Sequence, residues 1–467
     1  MYTKKSHIHF VGIGGIGMSG IATILKQSGY TISGCDPDTD QDTVTQLRAL
    51  GCSVHQGNNT AHCNDTTIDV LVYIPMYAST IPAVTAEITQ ACTRGIPTIS
   101  RARMLAELMR TKYSIAIAGS HGKTTTTSLI AHILIKADKD PTVIIGGQLK
   151  NLSCNARKGN GDFLVAEADE SDRSFLQLHA TLAIITNIDL EHLETYADLN
   201  DIKQSFIQFI NNLPFYGKAI ICMDDENIRS LLPIKNIKTI SYGIDQKADF
   251  SASNITLHAD HSLFTVHTQN SPTPLANIML PMPGKHNIYN ALGAIALARE
   301  LAIDFQTITQ SIASFGGIER RFSFGGTYRG AEIFDDYGHH PTEIKNTLLV
   351  ARKRAHNKLT VIFQPHRYTR TQNLWADFIS TFATSGIDKL IITDIYSAGE
   401  YPIATITSKR FAQELTALNP PFTVHYVASD DNFDHIKQEI DRSVHKNDLL
   451  LFLGAGKIHT IIPEIAE

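Results

Sequence analysis

The sequence predicts an α/β protein of about three domains built on largely parallel sheets, and three observations carry that expectation. Short β-branched runs alternate with helical segments along most of the chain, the wiring of strands joined through crossover helices. The alternation restarts at Tyr113 and again after Gly316-Gly317, which divides the chain into 1–110, 111–316 and 317–467. The length of 467 residues, at roughly 150 residues per domain, gives the same count.

Composition narrows the class. Hydrophobic residues make up 43% and charged residues 19%, with no low-complexity tract, as in a globular enzyme rather than a disordered chain. Lys and Arg number 41 against 46 Asp and Glu, a net charge of -5, so no nucleic-acid partner is expected and any anion site must be local. No run reaches the ~18 apolar residues of a membrane span, and no secretory signal pattern opens the chain. Cys35, Cys52, Cys63, Cys92, Cys154 and Cys222 are irregularly spaced without a CxxC pair, which fits reduced thiols in the cytoplasm and argues against a zinc site.

The first domain opens with a strand over His7 to Val11, a helix from Met18 to Ser28 and a strand from Thr31 to Cys35. Between strand and helix lies Gly12-Ile13-Gly14-Gly15-Ile16-Gly17, and Asp36 ends the second strand. Glycines let the backbone approach a diphosphate at a helix N-terminus, where amides and dipole favour negative charge. Taken alone, the Gly12 to Asp36 spacing also suits a nicotinamide cofactor, as in a dehydrogenase, or a plain tight turn beside a surface acid.

The second domain opens with a strand over Tyr113 to Ala118, then Gly119-Ser120-His121-Gly122-Lys123-Thr124-Thr125 and an apolar helix carrying Leu129, Ile130, Ile133 and Leu134. Only two residues separate the glycines, where the usual phosphate loop has four, yet the chemistry holds. Amides cradle phosphate, Lys123 reaches its terminal oxygens and the Thr124 hydroxyl suits Mg2+. Two further strands, Phe163 to Ala166 and Leu182 to Thr186, end in acid-rich runs, Glu167 to Asp172 and Asn187 to His192. A carboxylate at a strand end beside a phosphate loop is where such enzymes hold metal, although acidic runs are also common in solvated loops. Residues 250–282 break the rhythm with Ile255, Leu257, Leu263, Phe264 and Val266 around His261-Ser262, a small antiparallel excursion. The loop Pro283 to His286 then enters a helix carrying Asn287 and Asn290, with Asn287 a candidate cap.

In the third domain, strands are expected over Ala331 to Phe334, Leu359 to Phe363, Lys389 to Thr393, Phe422 to Val427 and Asp448 to Leu453. Arg320-Arg321-Phe322 lies at its entrance. The first strand runs into Asp335-Asp336-Tyr337-Gly338-His339-His340-Pro341 and the second into Gln364-Pro365-His366-Arg367-Tyr368-Thr369-Arg370. Two such clusters at neighbouring carboxyl ends of a parallel sheet mark a ligand edge.

Taken in this order along essentially the whole chain, these motifs resemble the Mur ligase family. The resemblance implies an N-terminal Rossmann-like domain for a UDP-sugar, a central P-loop ATPase-type domain and a C-terminal Rossmann-like domain for an amino acid. It implies ATP-dependent ligation of L-alanine to the lactyl carboxylate of UDP-N-acetylmuramate through an acyl phosphate. The nearest rival is ligation of a whole tripeptide to the same sugar. Gly12, Gly14, Gly15, Gly17 and Asp36 then serve the uridine nucleotide. Gly119, Ser120, His121, Gly122, Lys123, Thr124, Thr125, Asn287, Asn290, Arg321 and Asp336 serve ATP, the two asparagines on its adenine side. Thr124 and Glu167 hold one Mg2+, with Glu167 and His192 near a second; Lys123, Glu167 and His192 are the catalytic candidates. Tyr337, His339, Arg367 and Arg370 form the amino-acid site. Some family members carry a carbamylated lysine after the His-containing loop; Lys203 lies too early in its helix for that role, and monomer and dimer both remain open.

Overall fold

The computed structural model describes residues 6–149, 154–269, 271 and 273–467. The side chain of Cys154 lies outside the described residues. Three sheets organise the chain. The first is parallel and five-stranded, in the order Ser53–Gln56, Thr31–Asp36, His7–Val11, Ile68–Tyr73 and Thr98–Ser100. Its order reverses at His7–Val11, so the glycine loop leaves the sheet at the switch point where ligands gather. The following helix, Ile16–Gln27, begins two residues earlier than expected because the turn needs only Gly12 in the left-handed region, at φ 79°.

The ten-stranded second sheet is centred on the parallel strands Phe163–Glu167, Tyr113–Ala118, Leu182–Ile185, Lys218–Cys222 and Lys238–Gly243. The expected antiparallel excursion extends this same sheet, as Phe250–Leu257, Ser262–Thr268 and Ala276–Leu280. At the other end Thr142–Leu149 and Cys154–Arg157 pair antiparallel and meet the first domain's glycine helix. There a Cβ on Gly20 would lie 3.3 Å from Ala156 Cβ, and Asn155 Nδ2 donates to the Ile16 carbonyl at 2.6 Å. One apolar core accordingly runs through both domains.

The third sheet departs from expectation at the site. Its order is Ser323–Tyr328, Ala331–Asp336, Leu449–Leu453, Leu359–Phe363, Lys389–Ile392 and Thr423–Tyr426, all parallel except the first. The last strand in sequence, Leu449–Leu453, therefore inserts between the two strands expected to be neighbours. Their clusters still meet because glycines follow the inserted strand. A Cβ on Gly454 would sit 2.5 Å from the Gln364 carbonyl oxygen and one on Gly456 2.3 Å from Gln364 Oε1. The His339 and His366 rings approach to 5.8 Å across that gap.

Candidate active site

The phosphate loop is shaped by what packs on it. Gly119 (φ 133°) and Gly122 (φ 81°) take conformations that L side chains rarely adopt. A Cβ would lie 2.0 Å from Thr186 Oγ1 at the first and 2.3 Å from Asn290 Oδ1 at the second. The next strand end pins the loop: the His121 amide donates to Asn187 Oδ1 (2.8 Å), while Thr186 Oγ1 and Asn187 Nδ2 donate to the His121 carbonyl at 2.6 and 3.0 Å. Helix Lys123–Lys136 thus starts at a fixed point, with first-turn amides that have no acceptor within the helix.

Lys123 is folded back onto its own loop. Nζ donates to the carbonyls of Gly119 (2.5 Å) and Ser120 (3.1 Å) and to Glu170 Oε1 (2.7 Å). Burial alone would favour its neutral form, but Glu170 more than offsets this and holds the ammonium charged. On the adjacent strand Glu167 Oε1 accepts from the Gly146 amide at 2.8 Å, and burial pushes its carboxyl up.

His192 (φ 56°) turns back beneath these acids. Its Nε2 lies 3.6 Å from Glu170 Oε1 and 3.7 Å from Glu191 Oε2, and its Nδ1 lies 3.6 Å from Glu194 Oε1. The structure thus groups His192 with Glu170 and Glu191, with ligand atoms within 4.8 Å of one another, where the sequence reading paired it with Glu167. Burial disfavours charge on the ring, but the carboxylates of Glu170, Glu194 and Glu191 raise it to about 9. Glu170 Oε2 is buried and has no hydrogen-bond partner among the described residues.

Beside the loop a cavity of about 590 Å³ is lined by Gly122, Thr125, Asn287, Asn290, Arg321 and Asp336 among others. Asn287 does not cap its helix. Gly284 holds that position, and Asn287 Nδ2 donates to the Pro283 carbonyl (2.7 Å) while Asn290 Nδ2 donates to Asn287 Oδ1 (3.3 Å). Arg321 reaches in from the third domain, 3.5 Å from Glu343 Oε1. The Asp336 carboxylate, expected at ATP, accepts from the amides of Phe322 and Gly338, both at 2.8 Å, and from Thr347 Oγ1 at 3.1 Å. Its donors are internal, so it shapes the loop at the cavity wall.

Asp36 behaves alike in the first domain. Its Oδ2 accepts from the Gly14 amide at 2.8 Å and its Oδ1 from Gln41 Nε2 at 2.9 Å, so it braces the glycine loop. Gly15 would meet nothing closer than 3.7 Å with a Cβ, while Gly17 would place one 2.6 Å from Arg101 Nη1. Arg101, which the sequence reading missed, ion-pairs with Asp169 of the central domain at 2.8 Å and brings a cation to the glycine loop.

The third-domain candidates separate into two groups. Tyr337 lies under the guanidinium groups of Arg320 and Arg321, 4.8 and 5.6 Å from its ring centre. His339 is packed against it, and burial together with Arg370 keeps its ring neutral, well below the usual imidazole range. Arg367 ties the domains together: it is 3.1 Å from Glu194 Oε1, 3.0 Å from Glu400 Oε1 and 3.8 Å from the Met76 sulfur. The Arg370 guanidinium donates to His366, at Nδ1 (3.0 Å) and the carbonyl (3.2 Å), and forms no ion pair with a carboxylate among the described residues. A small cavity of about 20 Å³ lies against it, lined by Glu191, His192, His340 and Arg367.

His121 joins the central and third domains. Its Nε2 is 3.1 Å from Asp189 Oδ2, its Nδ1 is 3.7 Å from Glu343 Oε1, and its ring packs 4.8 Å from His340. Burial opposes its charge, but Glu191, Asp189 and Glu343 raise it to about 10 from an ordinary 6.5. A raised pKa stabilises the fold fully below the unfolded value and loses that contribution as pH rises through the folded value. Denaturant midpoints of wild type and His121→Gln are therefore expected to differ most at about pH 6 and to converge toward about pH 10.

Comparison with known proteins returns one family. Residues 7–113 match the Mur ligase family catalytic domain, 117–298 the Mur ligase middle domain and 320–456 the Mur ligase glutamate ligase domain. The chain is 46% identical over 459 residues to the UDP-N-acetylmuramate--L-alanine ligase of Geobacter sp. (strain M21), covering 98% of this chain and 96% of that one. It is 44% identical over 467 residues to the enzyme of the same name from Geotalea uraniireducens, covering 100% and 99%. Among solved structures it resembles UDP-N-acetylmuramate-alanine ligase from Thermotoga maritima (TM-score 0.80, 28% identity, 98% of each chain). It also resembles a murein peptide ligase from Psychrobacter arcticus (TM-score 0.71, 25% identity, 98% of each chain).

Proposed function

The chain belongs to the Mur ligase family, and on that premise we propose that it joins L-alanine to the lactyl carboxylate of UDP-N-acetylmuramate at the expense of ATP, in peptidoglycan precursor synthesis. The observation that carries this reading is identity of 43–46% to relatives bearing that name over 98–100% of this chain, supported by a TM-score of 0.80 to the solved alanine ligase against 0.71 to the murein peptide ligase. The ATP and nucleotide-sugar requirement and the absence, among the described residues, of a helix able to cross a membrane fit a cytoplasmic reaction.

A carboxylate resists attack by an amine because its oxide is a poor leaving group. Transfer of the ATP γ-phosphoryl group to the lactyl carboxylate gives an acyl phosphate and ADP; the alanine amine then adds to the carbonyl, and phosphate leaves. The site's residues divide this work by domain. Gly12, Gly14, Gly15 and Gly17 line the diphosphate path, with Asp36 bracing the turn and Arg101 beside it. Gly119 to Thr125 hold the ATP phosphates, and Asn287 and Asn290 line the adenine side with Arg321 closing the cavity. Lys123 leaves its loop carbonyls to follow the transferred phosphoryl charge. Arg370 grips the alanine carboxylate, Tyr337 and His339 wall the site, and Arg367 holds the three domains around it.

The acids fit Mg2+. Glu170 Oε2 is a buried oxygen without a hydrogen-bond partner among the described residues, Glu170, Glu191 and His192 converge, and Thr124 and Glu167, in contact with each other, offer further oxygens. When bound, the cation neutralises phosphate oxygens that would otherwise repel one another. The domain limits 1–110, 111–316 and 317–467 are part of the same proposal.

Three measurements bear on it. With both oxygens of the lactyl carboxylate labelled with 18O, one labelled oxygen is expected in the released phosphate and the other in the new amide; unlabelled phosphate, with the lost oxygen in AMP or water, contradicts an acyl phosphate. Arg370→Met should raise the KM for L-alanine roughly tenfold, about 1.4 kcal/mol, with little change for ATP. Gly17→Val should push Arg101 from its place and weaken UDP-N-acetylmuramate binding in calorimetry about tenfold or more, leaving ATP binding in its own domain intact.

A further inference from the structure

The face of the first sheet turned away from the glycine helix carries side chains that ligation does not use. Strand alternation puts Ile8 and Phe10 into the main core and His7, His9 and Val11 on the other face, where Ser33 and Cys35 of the next strand join them. Helix Pro82–Thr93 covers that face with the buried stripe Val84, Glu87 and Ala91. Glu87 thus occupies a core position where an apolar residue belongs, and it is 0% exposed.

Three donor side chains converge on it. His62 Nδ1 lies 2.8 Å and His9 Nε2 3.3 Å from Glu87 Oε1, and Cys35 Sγ lies 3.4 Å from Oε2. All four ligand atoms fall within 4.8 Å of one another. Around a tetrahedral ion with bonds of about 2.0–2.3 Å, ligand atoms stand roughly 3.3–3.8 Å apart, so the His9 and Cys35 contacts to Glu87 already match that spacing and the His62 contact must open by about half an ångström. The surroundings are those of a ligand set. Ser33 Oγ holds His9 Nδ1 at 2.8 Å and is itself 2.8 Å from His7 Nε2, which fixes the ring with Nε2 pointing inward. Asn58 Nδ2 donates to Glu87 Oε2 at 3.0 Å and to Cys35 Sγ at 3.3 Å, a partner suited to a thiolate.

Charge favours occupation. A dication with one thiolate, one carboxylate and two neutral imidazoles is neutral overall, the condition under which four polar groups sit in a core at least cost. We propose that His9, Cys35, His62 and Glu87 bind one structural divalent ion of the zinc class, with four protein ligands and no open position. The four come from two strands, a 3-10 turn and a helix, and no pair shares a short spacing, which is why cysteine arithmetic pointed away from zinc. The Cys35 carbonyl accepts from the amides of Gly12 (2.8 Å) and Ile13 (3.0 Å), so the ion would anchor the strand that holds the glycine loop.

The full-length protein, stripped with chelator and without nucleotide, is reloaded with Zn2+ or Co2+. About one equivalent of zinc per chain should remain after gel filtration, and the Co2+ form should show a thiolate-to-metal charge-transfer band. Cys35→Ser should abolish the band. Cys63→Ser should keep it, because that thiol points to the Glu87 carbonyl. Should Cys35→Ser fail to fold, His62→Ala, at the partly exposed end of the site, should still lower zinc affinity at least about tenfold. Zinc below about a tenth of an equivalent, cobalt bound without a thiolate band, a band that survives Cys35→Ser, or unaltered affinity in His62→Ala would each overturn the site. None of these readouts involves ligation, so their failure would leave the proposed reaction untouched.

Discussion

Lys123→Ala is expected to reduce ligation roughly a hundredfold or more while UDP-N-acetylmuramate binding stays near wild type. The ammonium is held by two carbonyls of its own loop and by Glu170, which keeps it charged and beside the loop amides proposed to hold phosphate. Its contribution grows as charge builds on the transferred phosphoryl group, and interactions of that kind commonly supply a few kcal/mol, because the site is desolvated and the cation already in place. The loss should fall on kcat more than on any KM. Sugar-nucleotide binding should be unaffected because the glycine loop proposed to hold it belongs to a different sheet. Steady-state rates with parallel calorimetry check both halves, and ligation near the wild-type rate would remove Lys123 from the mechanism.

Glu170→Gln is expected to lower kcat by about a hundredfold and to raise the Mg2+ concentration needed for half-maximal rate at least about tenfold. The substitution keeps size and shape but removes the charge that faces both Lys123 and His192. It also replaces the buried oxygen without a partner, the atom best placed to receive a cation. Asp169, its neighbour, instead pairs with Arg101, and the same substitution there should give a smaller rise in the Mg2+ requirement. Rates measured across a Mg2+ series decide it: a lowered rate with an unchanged Mg2+ requirement would make Glu170 a partner of Lys123 only.

Much of this was legible in the sequence because strand ends carry chemistry and alternation marks strands. His7–Val11, Tyr113–Ala118 and Leu359–Phe363 fall where β-branched runs placed them, and the phosphate loop is recognisable despite its short glycine spacing. What sequence could not supply was spatial order. Leu449–Leu453 is last in sequence yet lies between two strands that looked adjacent, and only Gly454 and Gly456 hint at the close passage beyond it. Residue type likewise said little about which oxygens are free. Asp36 and Asp336 stand at ligand loops, yet their carboxylates are consumed by backbone amides. Glu170 and Glu191 lay inside acidic runs where composition gave no reason to prefer them over Glu167. Arg101 was invisible because its neighbour Gly17 and its partner Asp169 lie far apart in sequence, beside two different sheets.

The central claim is that this site activates a carboxylate for attack by alanine. Phosphate release is measured with UDP-N-acetylmuramate, ATP and Mg2+ while single amino acids and the murein tripeptide are supplied in turn. L-alanine should give rapid release that depends on the sugar nucleotide. Release with the tripeptide and none with L-alanine would contradict the account.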